Sequence, residues 1–273
     1  MYCMFRKFNF IAVISILFLF SSCFDSVEEF TINEDGSGEY SMTMDMFKMI
    51  EMMSSIGGED KLKEKEDYDK VEDSTFAFKE YIDAATDLSD EEKRLFRDGQ
   101  FHMHMSLKEK VSFVKYSFPV KNRADMAVIY SSSPKALAAV GNAAKPAQEE
   151  GDAASAKGPK SKPSLPMMPK AGASNDVFRS GEFFTLENSN GVFSKTVKPE
   201  AMKEYIAKDS TLKQMLPMIG NAYSITIVHL PRPAKKVDHS MATLSADRKT
   251  VTLKISFTDY FERPELMNFR VEY

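Results

Sequence analysis

The chain has no tryptophan and only two cysteines, Cys3 and Cys23, both close to its start. The body after Cys23 therefore has no disulfide and no thiol nucleophile. An exported fold of this kind must rest on its hydrophobic core, for which the length is ample. Positive charge does not predominate. Lys and Arg number 36 against 40 Asp and Glu, a net charge of −4. That balance argues against nucleic acid or an anionic membrane surface as the main partner. Catalytic signatures are missing as well. There is no Gly-x-Ser-x-Gly elbow, no His-Glu-x-x-His, no phosphate loop and no dinucleotide fingerprint. On these grounds no catalytic residue and no cofactor is assigned, and the chain is not expected to be an enzyme. The longest apolar run, Phe8 to Phe20, is broken by Asn9 and Ser15 and falls short of the ~20 residues a membrane-spanning helix needs.

That run is nevertheless the most informative stretch. Arg6 and Lys7 precede it, and Ser21, Ser22 and Cys23 follow, which is the order of a secretory signal. Leu19-Phe20-Ser21-Ser22-Cys23 resembles the lipobox cut by the bacterial lipoprotein signal peptidase. Phe20 stands where that motif usually carries Leu, but its bulk also disfavours ordinary secretory cleavage. Residues 1–22 are expected to leave as a signal peptide, and Cys23 to become the acylated first residue of the mature chain. Loss of Arg6 and Lys7 would make the mature chain two units more acidic. Phe24, rather than Asp, follows Cys23, which favours the outer membrane as the site of anchoring. The acids Asp25, Glu28 and Glu29 resemble the acidic export tag of surface lipoproteins in Bacteroidota.

The body reads as α+β, built from antiparallel hairpins with a few packed helices. Strand alternation over residues 27–32 and 40–44 flanks the turn cluster Asn33-Glu34-Asp35-Gly36-Ser37-Gly38. Met46, Met49, Ile50 and Met53 then fall on one helical face behind Asp45 as N-cap. Residues 59–73 are a charged run. Phe76, Phe78, Tyr81, Ile82 and Ala85 suggest a second helix, and Ser89-Asp90-Glu91-Glu92 is a capping box. Phe101 to Met105 and Val111 to Phe118 form a second hairpin, and residues 124–140 are mixed. Residues 182–186 and 192–197 form a third hairpin around Asn188-Ser189-Asn190-Gly191. Pro199 opens a helix, and residues 209–219 continue helical spacing. Residues 223–230 are a strand, residues 241–244 and 250–257 a hairpin, and residues 269–273 a last edge strand. Residues 141–176, rich in Ala, Lys, Pro, Gly and Ser, are expected to be a disordered linker. It divides one compact body into residues 23–140 and 177–273. The sequence Phe30-Thr31-Ile32, a turn and then Gly38, echoed by Phe184-Thr185-Leu186, a turn and then Gly191, leaves two similar lobes as the other arrangement.

Three constellations were weighed as sites. Asn33, Asp35, Ser37, Glu39 and Ser41 occupy alternate positions of an EF-hand-like loop, but position 12 is Met44 rather than Glu. A hairpin turn explains them better than calcium. His102 and His104 lie two apart on one strand face, with no third ligand in view, so they are read as surface residues and no metal is assigned. The abundant carboxylates cluster in solvated runs, and any acid–base pair among them would have to be found in space.

The segments Ser21-Ser22-Cys23, Phe30 to Tyr40, the Met-rich helix behind them and Val251 to Phe257 together look like uncharacterised lipoproteins of Bacteroidota-type bacteria. The strand, Asp-Gly-Ser-Gly turn and strand that follow the cysteine are also distantly similar to the LppM-type lipoproteins of mycobacteria. The resemblance implies an envelope protein with an α+β body and transfers no site residue. The expected function is a lipid-anchored cell-envelope protein acting as a non-catalytic binding or scaffolding module. Its partners would be the membrane, through its acylated N-terminus, and an unidentified envelope protein or surface ligand. The alternatives are capture of a ligand or metal at the surface, and a hydrolase without a recognisable motif.

Overall fold

The computed structural model describes residues 25–47, 68–143, 180–208 and 222–273. The predicted signal peptide, Cys23, most of the Met-rich helix, most of the 141–176 segment and the helical spacing of 209–219 lie outside them.

The fold is α+β, with an eight-stranded sheet and a four-stranded sheet. Strands β1 (Asp25–Ile32) and β2 (Gly38–Asp45) form the first hairpin, with Phe30 opposite Tyr40. Its turn closes as the composition demands. Gly36 adopts φ 86°, which favours glycine. Asp35 Oδ1 accepts from the Ser37 amide at 2.9 Å and from its hydroxyl at 2.7 Å. Gly38 lies so close to β1 that a Cβ would stand 1.8 Å from the Thr31 carbonyl oxygen. At the other end of β2, Asp45 Oδ1 accepts from the Phe47 amide at 2.8 Å.

The sheet continues through β3 (Val71–Ala77), β4 (Gln100–Ser106) and β5 (Val111–Val120), which pair in the order β2-β5-β4-β3. The spacing of Phe76, Phe78, Tyr81 and Ile82 had suggested one helix. Instead Phe76 is on a strand, opposite Phe101 and stacked on it at 4.9 Å, and helix α1 is confined to Lys79–Ala84. The switch occurs at Phe78, whose amide donates to the Gly99 carbonyl at 2.9 Å. Helix α2 (Asp90–Phe96) begins with the predicted capping box: Ser89 and Glu92 each bond the other's backbone amide. The mixed stretch after β5 is one helix, α3 (Arg123–Ala143), with Pro134 inside it. Its buried residues Met126, Ile129, Tyr130, Ala136 and Val140 join the core.

The second part supplies a helical turn, α4 (Ser180–Phe183), then the hairpin β6 (Phe184–Ser189) and β7 (Val192–Val197), then α5 (Pro199–Lys208). Strand β8 (Tyr223–His229) returns to the large sheet and pairs in parallel with β1, from Asp25 opposite Tyr223 onward. All other strand pairs described are antiparallel. Short strands β9 (Lys236–Val237) and β10 (Thr243–Leu244) precede β11 (Thr250–Ser256), which pairs with β8. Helix α6 (Phe257–Glu262) and a 3₁₀ turn (Pro264–Met267) lead to β12 (Phe269–Glu272). Residues 269–273 were expected to form an edge strand. Instead β12 lies between β7 and β9 in the small sheet, ordered β6-β7-β12-β9.

Glu92 also receives the Lys135 ammonium of α3 at 2.7 and 2.9 Å, which ties α2 to α3. That bond, followed by the Ser89 amide, lowers its carboxyl from 4.5 to about 2. A folded-state pKa below the unfolded one gives stability that is complete above about pH 4.5 and is lost as pH falls toward about 2. Glu92→Gln is therefore expected to lower the thermal midpoint at pH 7. The gap to wild type should narrow between pH 4.5 and 2, as read by melting curves across that range.

Candidate functional site

The large and small sheets meet across an aromatic layer. Phe30 of β1 packs on Tyr40, Phe193 and Tyr130, with ring centroids 5.1, 5.1 and 5.7 Å apart. Within this layer lie two charges. Glu28 on β1 and Lys195 on β7 form an ion pair whose side chains are 3% and 0% exposed. Strand parity places them there: Ser26, Glu28, Phe30 and Ile32 all face inward, and Lys195 shares its face with buried Phe193. Lys195 Nζ also lies over the Phe184 ring at 4.4 Å and near the Tyr130 ring at 5.8 Å, so aromatic faces complete its surroundings.

Four tyrosines feel the Glu28 carboxylate. Burial is the first cause that raises the Tyr40, Tyr116, Tyr130 and Tyr260 phenols, and the Glu28 charge adds to it in each case. The Tyr116 hydroxyl donates to Met42 Sδ at 2.9 Å. Glu28 Oε1 and Thr226 Oγ1 are buried without a hydrogen-bond partner among the described residues. The centre is thus both charged and incompletely satisfied, a combination that costs stability relative to an apolar core.

A second constellation is on the outside. Asp73 of β3 spans two histidines of β4, with Oδ1 2.9 Å from His102 Nε2 and Oδ2 3.1 Å from His104 Nδ1. These two contacts, that of His104 first, hold the Asp73 carboxyl below its usual range. The Phe113 ring of β5 stacks on His104 at 5.5 Å and meets His102 edge-on at 5.3 Å. Among the described residues, no three His, Cys, Asp or Glu side chains are placed to hold one metal ion. The other two histidines are engaged separately. His229 Nε2 is 2.6 Å from Glu29 Oε1. His239 Nδ1 accepts from the Met241 amide at 3.1 Å, so its Nε2 carries the proton donated to the Leu266 carbonyl at 2.9 Å.

Other residues read as candidates take structural positions. Of the 33–41 stretch, residues 33–37 form the hairpin turn, and Glu39 and Ser41 lie on β2. The comparison of Asp25, Glu28 and Glu29 with an acidic export tag does not survive for Glu28, which is buried against Lys195, and Glu29 pairs with His229 on the outer face. Cys23 lies outside the described residues. Sequence reasoning missed the Glu28–Lys195 pair, although the parity of Phe30 and Ile32 on β1 and of Phe193 on β7 pointed both charges inward.

Two outcomes follow. Lys195→Met alone strands a buried carboxylate and should cost ~3–5 kcal/mol in urea unfolding of the chain lacking residues 1–22. Adding Glu28→Gln should recover much of that loss, and a double variant as unstable as the two single losses combined would show the charges to be uncoupled. Alkaline titration tests the tyrosines. A phenol raised by folding contributes stability that is complete below its unfolded pKa near 10 and is lost as pH rises through the folded value. Of the ten tyrosines, Tyr40, Tyr116, Tyr130 and Tyr260 are therefore expected to ionise only as the fold is lost, seen as a late absorbance step at 295 nm that coincides with unfolding.

No family model matches the chain. A stretch of 85 residues is 31% identical to part of a DNA polymerase IV of Clostridium perfringens, covering 31% of this chain and 23% of that protein. The chain thus spans under a quarter of the length of the curated protein it matches. The folded domain of the Mycobacterium tuberculosis LppM protein, solved by NMR, is similar over 92% of this chain and 91% of that one. The identity is 9% and the TM-score 0.32, a likeness that carries no argument about fold or function here.

Proposed function

We propose that the protein is a lipid-anchored component of a bacterial cell envelope whose α+β body acts as a non-catalytic binding or scaffolding module. The observation that carries this reading is the order of its first residues. Arg6 and Lys7, the apolar run Phe8 to Phe20 and Ser21-Ser22-Cys23 form a lipoprotein signal, and strand β1 starts only two residues later at Asp25. A diacylated and N-acylated Cys23 would hold the body stably on a membrane, since each buried methylene contributes ~0.8 kcal/mol and more than one chain is present. The outer membrane is favoured because Phe24 follows the cysteine.

The charge of the body supports the same class. A net charge of −4, more negative once Arg6 and Lys7 are removed, offers little for release of counterions from nucleic acid, so the polymerase match is not taken as a guide to activity. The buried ion pair Glu28–Lys195 is shielded from any large substrate and suits a structural role.

Fractionation of cells carrying the Cys23→Ala variant tests the anchor. Wild type should stay with the membrane pellet and enter detergent, while the variant should appear as uncleaved precursor or leave the membrane after salt washing. A Cys23→Ala chain that is processed and retained like wild type would overturn the reading.

A further inference from the structure

We propose that the body stands on its membrane with one defined end of the eight-stranded sheet, the end at which β1 begins, facing the lipid headgroups. The inference rests on the acylated Cys23 and extends that reading from an anchor to an orientation.

The tether is short. Whatever their conformation, the two residues from Cys23 to Asp25 span at most ~7 Å. The first residue of β1 is therefore held within that distance of an acylated cysteine at the membrane interface. The attachment is also central. Strand β1 is fourth in the order β10-β11-β8-β1-β2-β5-β4-β3, so the sheet is held near the middle of its end and not by a corner.

Strand register states what shares that end. Tyr223 starts β8 opposite Asp25, and Ser256, the last residue of β11, is opposite Tyr223. Asp45 closes β2 opposite Phe113, and the turn from Ser106 to Val111 joins β4 to β5 at the same level. Two features there suit a headgroup layer. Lys254 Nζ lies over the half-buried Tyr223 ring at 3.9 Å, an aromatic body with a cationic tip. The 107–110 turn presents exposed Lys108, Glu109 and Lys110, with Lys108 Nζ paired to Asp69 Oδ1 at 2.9 Å. The opposite end is crowned by the exposed Glu34 and Asp35 of the β1–β2 turn. Eight residues of strand at ~3.3 Å each place that turn ~26 Å farther from the anchor.

The test uses the full-length acylated protein in liposomes whose phosphatidylcholine headgroups carry a nitroxide quencher. The mature chain has no cysteine except Cys23, whose sulfur is consumed by the lipid, so one introduced cysteine takes a fluorophore alone. Glu109→Cys and Glu34→Cys mark the two ends at exposed positions. Quenching several-fold stronger at 109 than at 34 is the expected result. Equal quenching at both positions, or stronger quenching at 34, in protein whose Cys23 is shown by mass to be acylated would overturn the orientation and leave the anchor standing. Absence of acylation at Cys23 would overturn the anchor reading, and the orientation with it.

Discussion

The body depends on two charges that meet where a core ought to be apolar. Glu28 comes from the large sheet and Lys195 from the small one, and neither side chain has useful access to water. Separating such a pair from solvent costs several kcal/mol per ion, which mutual attraction offsets only in good geometry. Neither charge tolerates the absence of the other. A slip of one residue in β1 or β7 would turn its charge to the opposite face and leave its partner buried alone. Either slip is therefore disfavoured, and the aromatic residues Phe30, Tyr40, Tyr130, Phe184 and Phe193 belong to the core around the pair. Arg123 adds a second lock at the far end. It donates to the Ser189 carbonyl at 2.9 Å and to the Tyr273 hydroxyl at 3.0 Å, and it packs on Gly36 of the first turn.

Strand β1 is the element on which both parts of the chain converge. Its antiparallel partner β2 follows through a five-residue turn, whereas its parallel partner β8 comes almost two hundred residues later. Parallel strands need a crossover, and this one contains most of the fold: α1 to α5, β2 to β7 and the low-complexity segment. Residues on either side of that segment accordingly share one sheet, with β8, β11 and β10 extending the strands of the first part. The hairpins at Phe30 and Phe184, which echo each other in sequence, take different places: the first is central in the large sheet and the second begins at the edge of the small one.

Much of the local structure was legible because its causes are local. The Asp-Gly-Ser-Gly turn, the Ser89–Glu92 capping box and the Asn190-Gly191 hairpin declare themselves in a few residues. Strand β3 was not legible, since most of its residues are exposed and it has no alternation, while Phe76 and Phe78 continue into residues with helical spacing. Helix α3 was blurred by its serines and by Pro134. The place of β12 depends on β7 and on the two-residue β9, neither adjacent in sequence. The Glu28–Lys195 pair was hidden for a different reason. Each charge stands where alternation puts an inward residue, but only the partner sheet shows why a charge is admitted there.

If Cys23 is acylated as proposed, a firm core and a short tether would hold the body close to a bilayer by its first residue, with the β1–β2 turn directed away from it. The claim beneath this account is that the mature protein starts at an acylated Cys23. Mass measurement of the N-terminal peptide from membrane-extracted protein tests it most directly. The account predicts a peptide that starts at Cys23 and carries the mass of a diacylglyceryl group and an added acyl chain. A peptide that retains residues upstream of Cys23, or starts at another residue, or carries an unmodified Cys23, would contradict it.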